Sequence, residues 1–411
     1  FCVDRREMLK RTDEALEKFC LAELRKRHPA ELSEGERQRL AIASVCALSP
    51  SVLVLDEPAT DLDPVNRELL LSLVKNMRRE GAAVIWMHHE PEIANSSDRL
   101  LVMDKGAVKL DTTFRKFFSV PELPERFCIR PSDISLIFKS GGRPSASMTL
   151  EEGLAEIRKS EGGYRWKLSK TMQEEYLKKR ATAATGRPAV VVENLEYVYP
   201  CGVRALDGVN LEIVSGEFIA ITGQNGSGKT TLAKHFNGLL KPSSGRVFVD
   251  GTDTRDSSLH EISKKVGYCF QNPDNRIFAG TVFEETAFGL ENHGCTVEHA
   301  KARVSEALEA VQLSGYENRY PFTLARGERQ RVAVASVLSM RPDVLVLDEP
   351  ATGLDYKQQK KMMELLKKLN ALGKTIIIIT QSLWIAASCA HRCVVMSEGS
   401  IILDGPSRDV F

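Results

Sequence analysis

Two segments of this sequence occur twice, and both recur at the same spacing of 292 residues. Glu31-Leu32-Ser33-Glu34-Gly35-Glu36-Arg37-Gln38-Arg39 returns as Thr323-Leu324-Ala325-Arg326-Gly327-Glu328-Arg329-Gln330-Arg331. Val52-Leu53-Val54-Leu55-Asp56-Glu57-Pro58-Ala59-Thr60 returns unchanged as Val344 through Thr352. Glu14–Glu17 and Asp63 return in the same register, at Glu306–Glu309 and Asp355. Two copies of one domain are the economical reading. On this alignment Phe1 stands opposite His293, whereas the second copy begins near Ala189. The first copy is therefore expected to lack about 100 residues at its N-terminal side, and the chain, which opens with Phe, reads as a fragment. The expected organisation is the C-terminal part of a first domain at 1–125, a linker with short helices at 126–188, and a complete second domain at 189–411. Within the linker, Ser140 to Ser145 reads as loop, Thr149-Leu150-Glu151-Glu152 opens a short helix as a capping box, and Ala181 to Pro188 marks a boundary.

Composition excludes several function classes. The longest apolar runs, such as Val52–Leu55 and Ile376–Ile379, are far shorter than the ~18 residues of a membrane span. No secretory signal opens the sequence. Nine cysteines without a CxxC pair fit a reducing compartment better than a disulfide framework. Cys389, His391 and Cys393 cluster, but they lack a fourth ligand and read as structural thiols. Fifty-six basic residues against 55 acidic ones give a net charge of +1, which argues against a broad nucleic-acid surface.

Gly223-Gln224-Asn225-Gly226-Ser227-Gly228-Lys229-Thr230 matches GxxxxGKS/T, between a strand at Phe218–Thr222 and a helix through Thr231–Leu240. Glycines let successive backbone N–H groups face one point, and the helix N-terminus adds positive potential there. Lys229 is expected to reach the β- and γ-phosphates, and the Thr230 hydroxyl to hold Mg²⁺. Val344–Leu347 reads as a buried parallel strand ending in Asp348, which is placed to hold the metal. Glu349 stands one residue farther on, where it can orient or deprotonate a water. Asp56 and Glu57 repeat the pair.

Together with Leu32–Glu36 and Gly353-Leu354-Asp355, these motifs resemble the ATP-binding cassette (ABC) ATPases in order and spacing, over nearly all of the chain outside roughly 126–188. The resemblance implies a tandem α/β fold of P-loop NTPase cassettes. Each has a mostly parallel sheet core, a helical subdomain bearing the signature, and a small antiparallel β region, here near Val190–Val214. It also implies two cassettes packed head to tail, with ATP between the phosphate loop of one and the signature, LSGGQ in the family, of the other. Ser33, Gly35 and Glu36 match that signature. In the second copy Gly327 is kept, but Ala325 has lost the hydroxyl. Tyr199 matches the aromatic residue that stacks on adenine, and Thr231 continues the phosphate loop. Gln271 matches the glutamine that touches Mg²⁺ and senses the transport partner. His89 matches the switch histidine on the γ-phosphate, where the second copy has Gln381. An amide can donate a hydrogen bond there but cannot become cationic. Each composite site thus carries a defect, and the two are expected to hydrolyse ATP at different rates.

Gln271-Asn272-Pro273-Asp274-Asn275-Arg276-Ile277-Phe278, with Thr281-Val282 and Ala287-Phe288-Gly289, is similar to the ATPases of energy-coupling factor (ECF) importers, which read QNPDxQIF. Arg276 stands where that family has Gln. Pro121-Glu122-Leu123 and Arg130-Pro131 are similar to their C-terminal extension. The resemblance implies ATP and Mg²⁺ as cofactors and a transmembrane T component and a substrate-binding S component as partners. It implies a peripheral place on the cytoplasmic face of the membrane, and import of a vitamin, a vitamin precursor, or cobalt or nickel ions. Two other readings stand beside it: the fused ATPase of another importer class, or a twin-cassette ATPase acting on ribosome or nucleic acid. The last needs a strong basic insertion, and the densest here is Lys178-Lys179-Arg180.

Overall fold

The computed structural model of the protein describes residues 3–32, 34–59, 62, 64–88, 91–120, 122–132, 150–159 and 186–410. Ser33, His89, the Ser140–Ser145 loop, Thr149 and Lys178–Arg180 lie outside the described residues. The chain forms two compact units, Phe1–Lys167 and Leu168–Phe411.

In the first unit, helices α1 (Arg5–Lys18), α2 (Glu34–Cys46) and α3 (Pro64–Arg79) pack with the parallel pair β1 (Val52–Asp56) and β2 (Ala83–Met87). Leu70, Leu73 and Met77 of α3 recur at helical spacing and close on Leu53, Leu55, Ile42 and Phe19. Strands β3 (Leu100–Asp104) and β4 (Ala107–Thr112) form a hairpin across Lys105-Gly106, both at positive φ, the tight turn whose twist suits an antiparallel pair. Helices α4 (Phe114–Phe118) and α5 (Glu122–Arg126) cover it through Phe114, Phe117 and Phe118, joined by Phe127 and Ile129. Helix α6 (Leu150–Lys159) occupies the place of the short helix read from the sequence.

The second unit opens with an antiparallel sheet of β5 (Pro188–Val198), β6 (Arg204–Val214), β8 (Ser244–Val249) and β9 (Thr252–Asp253), the antiparallel region expected near Val190–Val214. Its main sheet has the order β10-β11-β12-β7-β13-β14: β10 (Val266–Cys269), β11 (Val344–Asp348), β12 (Thr375–Ile379), β7 (Phe218–Gly223), β13 (Arg392–Ser397) and β14 (Ser400–Pro406). All pairs are parallel except β13–β14. Alternate side chains divide between two cores. Leu345, Leu347, Ile376 and Ile378 face a helical layer, while Val344, Val346, Ile377 and Ile379 face the antiparallel sheet and α7 (Lys229–Phe236). Helix α7 ends four residues earlier than the sequence suggested, because Asn237 caps it and Gly238 turns away at φ +73°. The helical layer contains α9 (Val282–Asn292), α10 (Val297–Ala310), α11 (Arg326–Leu338) and α12 (Tyr356–Ala371), whereas α8 (Leu259–Ser263) joins the other core through Ile262.

The repeat extends to the backbone. Cys20, Ser49 and Glu57 take φ values of +56°, +50° and +45°, and their counterparts Gln312, Arg341 and Glu349 take +59°, +54° and +48°. The units differ in cover. Val52 and Val54 are 52% and 57% exposed, but Val344 and Val346 are 3% and 0%. The second unit lays its antiparallel sheet and α7 over that face, and the described residues of the first unit include no counterpart of that layer. Among the described residues, no helix is long and apolar enough to cross a membrane.

Candidate functional site

Three neighbouring parallel strands, β11, β12 and β7, end at the same edge of the main sheet. The segments that leave them there are Asp348-Glu349, Thr380-Gln381 and the loop from Gly223. Ligand sites of open α/β sheets form outside the carboxyl ends of the strands for this reason.

The loop needs glycine for contact as well as for torsion. Gly223 lies at φ +147°, and a Cβ on it would stand 2.2 Å from the Met396 carbonyl oxygen of β13. Gly228 lies at φ +98°, and its Cβ would meet the Ala205 carbonyl oxygen at 2.6 Å. Lys229 starts α7 and is buried. Its Nζ donates to the carbonyl oxygens of Gly223 (2.8 Å) and Gln224 (2.7 Å) and to Ser227 Oγ (3.4 Å). The ammonium is thus held inside the loop's own curve, on oxygens that an anionic oxygen can replace. Tyr199, half-buried, shares a hydrogen bond between its hydroxyl and Thr231 Oγ1 at 3.0 Å, and its ring meets Tyr197 edge-on.

The two carboxylates sit in different settings. Asp348 is 4% exposed; burial pushes its pKa up, and hydrogen bonds from Thr230 and Tyr268 with the nearby Lys234 and Lys229 charges push it back. Thr230 and Asp348 form a hard-oxygen pair of the kind Mg²⁺ prefers. Glu349 is 8% exposed. Burial, with the neighbouring Asp348 charge, raises its carboxyl to about 7 against bonds from Thr352 and Gln381 that oppose the shift. Its Oε1 accepts from the Gln381 backbone N–H (2.9 Å) and its Oε2 from Thr352 Oγ1 (3.0 Å). A carboxyl titrating near neutrality suits a general base. Gln381 also donates through Nε2 to Asn225 Oδ1 at 2.6 Å, so one residue touches both the carboxylate and the phosphate loop.

The sequence-predicted residues Asn225, Lys229, Thr230, Asp348, Glu349 and Gln381 are therefore brought together. Gln271 follows β10 and is exposed. Gly327 lies in the first turn of α11, closely packed: a Cβ there would be 3.2 Å from Gln358. Its counterpart Gly35 stands in the same relation to Asn66. Glu57 leaves β1, and its backbone N–H donates to the Met87 carbonyl, as Glu349 does to Ile379. Glu36 lies in the first turn of α2; its counterpart Glu328 accepts from the Ala325 backbone N–H (3.0 Å) and the Tyr316 hydroxyl (3.0 Å). Ala325 has the N-cap backbone but no oxygen to return. Ala325→Ser is expected to complete the box and stabilise the second unit by about 1 kcal/mol, read as a raised midpoint in thermal unfolding.

Sequence reasoning assigned no role to Thr352, which reaches Glu349 from three residues on, and missed Tyr268, which reaches Asp348 from a neighbouring strand. It also missed Arg329, which grips Asp274 of the segment after Gln271 with two nitrogens, at 2.5 and 3.1 Å. Cys389 and Cys393 sit in the apolar core of the helical layer, and burial pushes both thiols up.

A family model described as ABC transporter matches residues 3–60 and 206–352. A relative from Caldanaerobacter subterraneus subsp. tengcongensis, named for an ABC transporter ATP-binding protein (TTE1589), is 45% identical over 420 residues, covering 100% of this chain and 73% of that protein. One from Methanosarcina acetivorans, named likewise, is 42% identical over 397 residues, covering 92% of this chain and 64% of that protein. Among solved structures, cbiO1 from Clostridium perfringens, described as part of the ABC transporter complex cbiONQ, is 39% identical with a TM-score of 0.52, covering 55% of this chain and 90% of its own. The ATP-binding cassette MJ0796, in a dimeric post-hydrolysis state bound to ADP and Pi, is 33% identical with a TM-score of 0.50, covering 53% of this chain and 99% of its own.

Proposed function

The chain belongs to the ABC transporter family of ATP-binding proteins, and from that premise we propose that it is the ATP-hydrolysing subunit of an ECF-type importer. The proposed cargo is a vitamin, a vitamin precursor, or cobalt or nickel ions. The observation that carries this reading is the segment Gln271–Phe278. Its Asp274 is fixed by Arg329 of α11, and the segment leads into an exposed aromatic pair, Phe278 (64%) and Phe288 (46%), with ring centroids 4.8 Å apart. Exposed aromatic rings of this kind suit a partner's membrane-proximal helix. The likeness to cbiO1, which works within cbiONQ, supports the same reading.

In this proposal Gly223 to Thr231 bind the phosphates of ATP and Tyr199 takes its base. Thr230, Gln271 and Asp348 would hold Mg²⁺, which supplies charge neutralisation to the phosphates. Glu349 is the base that receives the proton of the attacking water, and Gln381 keeps it in line with the loop. In the first copy Glu57 and His89 serve the corresponding roles. Ser33, Gly35 and Glu36, and Gly327, are signature residues, each closing a phosphate loop of another cassette. The cassettes sit peripherally on the cytoplasmic face, bound to a T component that works with an S component.

Gln381→Ala removes the bond to Asn225 and keeps the backbone bond to Glu349. Single-turnover hydrolysis is expected to slow about tenfold, the worth of one hydrogen bond, with ATP affinity changed by less than about threefold. An unchanged rate would remove Gln381 from the site.

The transport reading is tested by purifying the protein from detergent-solubilised native membranes and identifying what accompanies it. An integral T component with a small S component is the expected result. Ribosomal or DNA-bound partners with no membrane protein would leave the ATPase and overturn the importer.

A further inference from the structure

The Asp348 carboxylate accepts a hydrogen bond from a residue that lies outside every motif of the sequence. The Tyr268 hydroxyl donates to Asp348 Oδ2 at 3.1 Å. Tyr268 stands on β10, the strand that pairs with β11, and its register partner is Val346, two residues before Asp348. A phenol is long enough to span that distance along the sheet edge. The ring of Tyr268 rests on Phe270, with centroids 4.6 Å apart and planes at 58°. The Arg276 guanidinium lies over the other partner of this ladder, 4.0 Å from the centroid of Phe270. Arg276 is the residue at which this chain departs from the QNPDxQIF pattern, and the stack gives the departure a physical role.

We propose that Tyr268 is a positioning residue for the metal carboxylate, fixing the rotamer of Asp348 from outside the nucleotide loop, and that Arg276 clamps Tyr268 through Phe270. A buried carboxylate short of donors either protonates or turns to find one. Thr230 and Tyr268 both donate to Asp348, so the carboxylate is aimed before any metal arrives. The stack makes that aim depend on the segment 270–276, which begins one residue before Gln271. A shift of that segment would be felt at the metal carboxylate through a stacked guanidinium, two rings and one hydrogen bond. The inference rests on the reading of Asp348 as a metal residue.

The test is a Mn²⁺ titration of the full chain by electron paramagnetic resonance, with a non-hydrolysable ATP analogue present. Nucleotide binding is measured separately in EDTA. Wild type should bind Mn²⁺ with the nucleotide, and Asp348→Asn should not; failure of this pair overturns the assignment of Asp348 itself. Tyr268→Phe, which loses one oxygen, is expected to weaken Mn²⁺ binding about tenfold, the usual effect of losing a partner of a metal ligand. Metal-free nucleotide affinity should stay within about twofold. A merely structural tyrosine would lower the thermal midpoint and leave the metal constant alone. Arg276→Ala, a surface change that cannot compromise the core, should weaken Mn²⁺ binding in the same direction, by about threefold, through loss of a stacked cation. A metal constant unmoved in a folded Tyr268→Phe protein overturns the proposal, as does one unmoved in Arg276→Ala should Tyr268→Phe fail to fold.

Discussion

Glu349→Gln is expected to lower ATP hydrolysis by about a thousandfold while leaving nucleotide bound, since a positioned general base contributes on the order of 10²–10⁴ to rate. The carboxyl is raised to about 7 chiefly by burial. Wild-type turnover should therefore climb as pH rises through about 7, when the base form appears, and the residual turnover of the variant should be flat there. Stability should move the opposite way. Because the folded carboxyl holds its proton to higher pH than the unfolded one, the wild type loses stability as pH rises from its ordinary value of 4.5 to about 7. Gln carries no such cost, so the variant should melt above the wild type at pH 8 and converge with it towards pH 4.5. The matching change at Glu57 measures the second site. Equal losses from the two substitutions would rule out asymmetric turnover. A pH-independent wild-type rate between 6 and 8 would remove Glu349 as the base.

Gly223→Ala should be severely damaging to the second unit. The added carbon meets the Met396 carbonyl oxygen at 2.2 Å, and Ser227 Oγ at 2.9 Å, with φ at +147°. Backbone oxygen cannot step aside as a flexible side chain can, so β7 and β13 must part or the loop must refold. Overpacking and torsional strain together are worth about 3 kcal/mol or more. For a unit of this size that is roughly a 10 °C fall in midpoint, with ATP binding lost because the loop amides no longer converge. Gly251→Ala is the control: it too has positive φ, +73°, but nothing lies within 4 Å of its would-be Cβ. It should cost only about 1 kcal/mol of torsional strain. Similar midpoints for the two variants would mean that the close approach to Met396 is not what makes Gly223 necessary.

What the sequence disclosed about the site was what is local in the chain. The phosphate loop, the Asp348-Glu349 pair and the antiparallel region each lie within one strand, turn or hairpin, and their spacing carries the signal. The repeat pairs Glu57 with Glu349, but the left-handed torsion they share is visible only in the structure. What stayed hidden was contact between elements far apart in sequence. Tyr268 and Asp348 are separated by 80 residues, and Asn225 and Gln381 by 156. Nothing in a tyrosine three positions before Gln271 says which strand will lie beside it; the sheet order decides that. Arg276 read as a mild departure because its partner is an aromatic ring rather than another member of the motif. The end of α7 was misplaced for a simpler reason. Apolar periodicity runs on to Leu240, but Asn237-Gly238 stops the helix, and that stop outweighs the pattern.

The strand β12, Thr-Ile-Ile-Ile-Ile, lies between β7 and β11 and is buried at every residue. It makes the geometry of the site stiff. The loop from Gly223 and the Asp348-Glu349 pair are held to one short bar of branched side chains, ladder-bonded on both edges and packed on both faces. Such a bar has no soft direction, so bound nucleotide cannot store its free energy by deforming it. Motion is left to what is not so held, and the segment from Phe270 to Phe278 lies outside the bar, exposed at Phe278 and tied to α11 by Arg329. Mechanical work drawn from ATP would leave the molecule there, as displacement at an exposed aromatic surface.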